Sequence, residues 1–180
     1  AFRTQHFVHS DKRLVITRSD PLRRIVFEIN GKPAAREFAR LLGLAIDELT
    51  PLIFATHPLV VRVGGQYFVR SIAKVNEDES LSFFCAIDDG IVLTIARGMD
   101  MLENLQEAFA KVRATVGPPQ LVLGCDCILR RLEGERDGLQ ERIGKLLAEN
   151  NVIGFATYGE QFNSMHVNQT FTGIAIGQAS

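Results

Sequence analysis

From Leu22 to Ala96 the chain is cut into short apolar stretches by turn-forming residues at Asn30-Gly31, Gly64-Gly65, Asn76 to Glu79 and Asp88-Asp-Gly90. Stretches this short and rich in Val, Ile and Phe suit strands, and Gly64-Gly65 is the two-residue connection that hairpin turns with positive φ prefer. The pattern predicts strands at Leu22 to Asn30, Val60 to Val63, Gln66 to Val75, Leu81 to Ile87 and Ile91 to Ala96, joined as an antiparallel meander. Ahead of them Phe7-Val8 and Leu14 to Thr17 carry weaker strand signals, separated by His9-Ser10-Asp11-Lys12.

Helices are expected where apolar residues recur every three or four positions. Pro33 suits a first turn, and Phe38, Leu41 and Leu42 follow until Gly43; a short second helix is expected over Ile46 to Leu52. Asp100 can cap Met101 to Val116, and Gly117-Pro118-Pro119 ends that run. Gln120 to Gly124 reads as a buried strand leading to a helical turn through Leu129 and Leu132, which Gly134 interrupts. A third amphipathic helix is predicted over residues 136 to 150. Two apolar runs, Val152 to Thr157 and Phe171 to Ile176, read as buried strands around a polar loop. The fold class is α+β, a largely antiparallel sheet packed with amphipathic helices.

A chain of 180 residues with 46% hydrophobic and 23% charged residues has the composition of a globular domain, and no apolar run reaches the roughly 20 residues of a membrane span. The net charge of -1 with scattered basic residues offers no footprint for a phosphate backbone, so neither nucleic acid nor membrane is an expected partner. Three cysteines, Cys85, Cys125 and Cys127, make an odd count and favour reduced thiols in the cytoplasm.

Chemistry concentrates in the loop from Tyr158 to Thr170, where Tyr158, Glu160, Gln161, Asn163, Ser164, His166, Asn168 and Thr170 supply donors, acceptors and titratable groups around Gly159. The plain alternative is a solvated hairpin loop. Cys125 lies where a strand passes into a helix, with Arg130 and Arg131 near in sequence, and reads either as a reactive thiol or as a small buried hydrophobe. Asp126 is expected either to cap the following helix or to pair with Arg130. Arg70 sits in a half-buried strand and needs a carboxylate such as Glu160 or an anionic ligand. Together Arg70, Cys125, Arg130, Tyr158, Gly159, Glu160, Asn168 and Thr170 form the candidate ligand-binding set, in which Arg70, Tyr158, Glu160, Asn168 and Thr170 can clamp a zwitterion. No catalytic or metal-ligating set is expected: the Cys and His spacings match no paired zinc pattern, and no phosphate-binding loop or nucleophile elbow occurs.

Several pieces, in order, resemble the C-terminal domain of the FIST family: Glu28-Ile-Asn-Gly-Lys-Pro-Ala34, Thr56-His-Pro58 with Val69-Arg-Ser-Ile72, Asp126-Cys-Ile-Leu-Arg-Arg-Leu132, Gly154-Phe-Ala-Thr-Tyr-Gly-Glu160, and Asn168-Gln-Thr170 with Thr172-Gly173. The resemblance implies a lead-in over residues 1–20, the tail of a preceding N-terminal FIST domain, and a C-terminal FIST-like domain over 21–180. It implies a non-catalytic sensory domain that binds a small ligand, amino-acid-like in chemistry, and passes the signal to a histidine kinase, a cyclic-nucleotide enzyme or a chemotaxis protein. No cofactor is expected in this chain; haem is expected, if anywhere, in a longer polypeptide, where related proteins sense nitric oxide. Two other readings stay open. One is a cysteine-dependent hydrolase or transferase using Cys125 with His166 as base; the other is a protein-interaction scaffold.

Overall fold

A computed structural model describes residues 1–177. In chain order its strands are β1 (Phe2–Thr4), β2 (Phe7–Asp20), β3 (Ile25–Ile29), β4 (Lys32–Pro33), β5 (Leu59–Val63), β6 (Gln66–Arg70), β7 (Ile72–Val75), β8 (Leu81–Phe83), β9 (Val92–Gly98), β10 (Leu121–Cys127), β11 (Val152–Thr157), β12 (Glu160–Phe162), β13 (Met165–Val167) and β14 (Phe171–Ile176). The helices are α1 (Ala34–Leu42), α2 (Pro51–Thr56), α3 (Met101–Val116), α4 (Ile128–Arg136) and α5 (Gln140–Glu149). The fold is α+β. The chain forms two compact units, one from Val8–Arg97 and one from Ala1–Phe7 together with Gly98 onward, a division the amino-acid pattern does not display.

The unit spanning Val8–Arg97 is built on a sheet of order β6-β5-β9-β2-β3-β8-β7, with β4 paired to β3. It is not the predicted meander: β9 pairs with β5 rather than with its sequence neighbour β8, and β2 lies between β9 and β3. The two weak signals around Phe7 and Leu14 belong to one strand of fourteen residues, β2. Its polar middle is tolerated because those side chains point to solvent while Leu14 and Ile16 are buried. The stretch Gln66 to Val75 is broken at Ser71 into β6 and β7, which join opposite ends of the sheet. The hairpin at Gly64-Gly65 forms as expected, both glycines at positive φ. Val26, Ile29, Phe38, Leu59, Leu81 and Leu93 are central to the core, with α1 laying Ala34, Ala35, Phe38 and Ala39 on it.

The other unit has a four-stranded sheet of order β1-β14-β10-β11. The pair β10–β11 is parallel, from Val122↔Val152 to Cys127↔Thr157, and β14 runs antiparallel to β10 and to β1. Asp100 caps α3 by accepting from the Glu103 N–H at 2.8 Å. Leu102, Leu105 and Phe109 of α3, Leu146 of α5, Val122 and Phe171 form its core. Two expectations change here. The runs at β11 and β14 are not wholly buried: β14 alternates towards its end, and β11 is an edge strand whose middle residues are all exposed, Ile153 by 59% and Phe155 by 69%. Gly134 does not break α4, which continues to Arg136, and α5 begins only at Gln140, after Gly138 turns the chain at positive φ. No helix among the described residues is long and apolar enough to cross a membrane.

Candidate functional site

The polar groups of this second unit gather where the parallel strands β10 and β11 end, the side of an open sheet where ligands are commonly met. β10 passes directly into α4, with Cys127 as the residue before the first helical turn. That connection places Asp126 one helical turn before Arg130, and the carboxylate accepts from the guanidinium Nε at 2.8 Å. Asp126 is therefore an ion-pair partner; it does not cap α4.

Arg130 is 1% exposed, the largest fully buried side chain among the described residues. It also donates from Nη1 to Nδ1 of His6 at 2.9 Å, and His6 meets the Glu133 carboxylate through Nε2 at 3.0 Å. A guanidinium can only donate, so Nδ1 is the acceptor nitrogen and Nε2 carries the proton given to Glu133. Burial, assisted by the charge of Arg130, lowers the His6 pKa and keeps the ring neutral, against the pull of Glu133. Burial raises the Asp126 pKa, and Arg130 pulls it back. The chain Asp126–Arg130–His6–Glu133 thus joins the ends of β10, α4 and the segment between β1 and β2.

A second group forms on the β11 side. Glu160, buried, accepts from the hydroxyls of Thr157 and Thr170, while burial and the nearby Asp126 charge raise its pKa. The hairpin of β12 and β13 turns through Asn163 and Ser164, both at positive φ, and brings His166 and Asn168 back toward Gly159. Gly159 has φ +138°, and a Cβ there would lie 2.7 Å from Cε1 of His166 and 2.9 Å from Nδ2 of Asn168. Only glycine permits both the backbone angle and this approach. Asn168 is fully buried; its Nδ2 lies 3.2 Å from Nε2 of His166, and its Oδ1 has no hydrogen-bond partner. Thr170 ties the group to the junction of β10 and α4, since its carbonyl accepts from the Cys127 N–H at 3.1 Å.

Of the residues singled out from sequence, Arg130, Gly159, Glu160, Asn168 and Thr170 fall in or beside these two groups. Tyr158 is 77% exposed and Cys125 half-buried in β10. Arg70 belongs to the other unit, where it donates to the Val69 carbonyl at 3.1 Å. His6, Glu133 and Thr157 were not expected. Glu133 stands three residues after Arg130 on α4, a spacing that offers a signal, whereas nothing in sequence links His6 to a helix more than 120 positions away.

Arg130 and Glu160 have partners inside the protein, so the arrangement is an internally balanced scaffold with one buried acceptor, Asn168 Oδ1, left to satisfy. Burial pushes the Cys127 thiol up to about 11, which keeps it protonated and weakly nucleophilic at neutral pH. Among the described residues no group of three or more His, Cys, Asp or Glu is arranged to hold a metal ion. Both ring nitrogens of His6 are engaged, so that residue does not fit as a haem ligand.

Compared with known protein families, residues 34–163 match the model described as the FIST C domain. Comparison with curated proteins and with solved structures gives no match.

Proposed function

The chain belongs to the FIST C domain family, a family of sensory domains of signal-transduction proteins, and from that premise we propose that it binds a small ligand at the ends of β10 and β11 without turning it over. The observation that carries this reading is Asn168 Oδ1, a buried acceptor without a partner, beside a glycine that brings the backbone close. A ligand N–H or O–H would satisfy it, as an ammonium or amide does, and leaving such an acceptor unmet costs about 1–3 kcal/mol. Glu160 and Asp126 are already held by Thr157, Thr170 and Arg130, but they keep the surroundings acidic, which suits a ligand with an ammonium group.

Binding would be transmitted through the segment that follows β13 and through the junction of β10 and α4, which meet where the Thr170 carbonyl accepts from the Cys127 N–H. The output is a kinase, a cyclic-nucleotide enzyme or a chemotaxis protein, reached together with an N-terminal FIST domain. A thermal-shift screen against amino acids and small organic acids tests the proposal. A ligand at 100 times its Kd adds about 2.7 kcal/mol, a rise of about 5–10 °C for a chain of this size. The rise is expected to shrink in Asn168→Ala and in Glu160→Gln; a ligand that binds both variants as well as the parent removes the site from this place.

A further inference from the structure

We infer that the cleft between β1 and α3 is a separate ligand site, for a small monocarboxylate with an aryl or branched-alkyl body. It shares no residue with the group around Asn168, and it does not depend on that reading. The cleft has a volume of about 210 Å³ and lies wholly within the unit that contains β10 and β11.

Its helical wall is one stripe of α3. Asn104, Ala108, Lys111, Val112, Thr115 and Val116 recur at helical spacing along one side, next to the face on which Leu102, Leu105 and Phe109 enter the core. The opposite wall is β1, an outer strand of its sheet, with Ala175 of β14 behind it. Ala108 and Ala175 leave open the space that larger side chains would fill. Phe2 is held from behind, edge-on to Phe109 at 5.8 Å and tilted against Phe171 at 5.9 Å, so the apolar wall is formed before any ligand arrives.

Size and charge select the ligand. An apolar cavity of about 150 Å³ accepts benzene, so this cleft has room for a ring and a short side arm. Its charged lining side chains are Arg3 and Lys111, and no acidic side chain lines it. The guanidinium of Arg3 lies 5.8 Å over the Phe162 ring, which leaves Lys111 as the cation placed to meet a ligand head group. Lys111 is 81% exposed and only loosely paired with Glu107 at 3.9 Å, so turning toward a ligand carboxylate forfeits little. Apolar walls with a cation at the mouth fit an organic anion better than a neutral or cationic molecule of the same shape.

The test titrates the chain with 3-phenylpropionate, 3-phenylpropan-1-ol and 3-phenylpropylamine, each read by calorimetry and by ligand-observed NMR. The expected order of affinity is carboxylate, alcohol, amine. Lys111→Glu should weaken the carboxylate by about fivefold and favour the amine. Ala108→Trp should abolish binding of all three by filling the cleft, with the circular dichroism of the parent retained; Val116→Trp serves the same purpose should the first variant fail to fold. Asn168→Ala should leave 3-phenylpropionate binding unchanged, which separates this site from the one at β10 and β11. The inference is overturned by absence of binding at millimolar 3-phenylpropionate, by binding that survives both tryptophan variants, or by binding lost in Asn168→Ala.

Discussion

Replacing Arg130 by methionine keeps the apolar stem of the side chain and removes the guanidinium that links Asp126 to His6. Two groups then lose their partner: the mostly buried Asp126 carboxylate and the Nδ1 lone pair of the fully buried His6. Breaking one side of a buried ion pair costs about 3–5 kcal/mol, and an unmet buried acceptor about 1–3 kcal/mol. Asp126 keeps 27% of its side chain exposed and escapes part of the penalty by taking up a proton, so the lower end applies, about 3 kcal/mol or a fall of about 10 °C in Tm. The pH dependence has a definite sign. Arg130 is what pulls the raised Asp126 pKa downward, so without it the folded-state pKa rises further. A group with a raised folded pKa contributes stability at low pH that is lost as pH increases through that value. The variant should therefore lose more stability at pH 8 than at pH 5. With no tryptophan in the sequence, urea unfolding is best followed by circular dichroism at the two pH values. Asp126→Asn in the Arg130→Met background should recover part of the loss, and a double-mutant cycle gives the coupling. A loss under about 1 kcal/mol, or a larger loss at pH 5 than at pH 8, would mean that Arg130 does not hold Asp126 and His6 as a buried network.

His6→Gln should flatten the decline in stability as pH falls below about 6.5, since the neutral ring of the folded state must be outcompeted by protonation in the unfolded chain; the difference in Tm between parent and variant from pH 7.5 to 5 checks it. In the other unit Arg40, then Asn30 and Lys32, hold the Glu37 carboxyl at about 2, so Glu37→Gln should lower stability at pH 7 and remove the part lost as pH falls from about 4.5 toward 2. An acid titration followed by circular dichroism reads this, and a variant as acid-sensitive as the parent contradicts it. Gly154→Ala should prevent folding of the four-stranded sheet, because its Cβ would sit 1.8 Å from the Gly124 carbonyl oxygen on β10; Gly144→Ala, with open space around it inside α5, should instead stabilise by about 0.5–1 kcal/mol in a thermal melt.

Local chemistry was legible wherever one short segment determines it. Gly64-Gly65 turns the β5–β6 hairpin, Asp100 caps α3, and Asp126 pairs with Arg130 one helical turn later. Long-range order was not. Placing β2 between β9 and β3 joins residues whose sequences carry no mark of each other, and the same holds for β1 with β14, the pairing just before His6. The polar run from His9 to Lys12 reads as a break because composition reports exposure, not backbone direction; the strand continues through it with those side chains turned outward or at the rim. Leu123, Ile153 and Phe155 read as core residues for the converse reason: they are apolar, yet they lie on the face that the helices leave uncovered. The loop from Tyr158 to Thr170 stood out by its density of polar groups. That its carboxylate would be met by two threonines, and its asparagine oxygen left unmet, depends on the fold of the β12–β13 hairpin.

The most direct measurement is an amide NMR titration of the chain with the best amino acid or organic acid from the thermal-shift screen. Saturable shifts centred on Gly159, the Asn168 side-chain amide and Thr170 are expected, and none in Asn168→Ala. Shifts confined to the cleft of Phe2 and Val112, or no saturable response to any such ligand, would contradict a sensing site at the ends of β10 and β11.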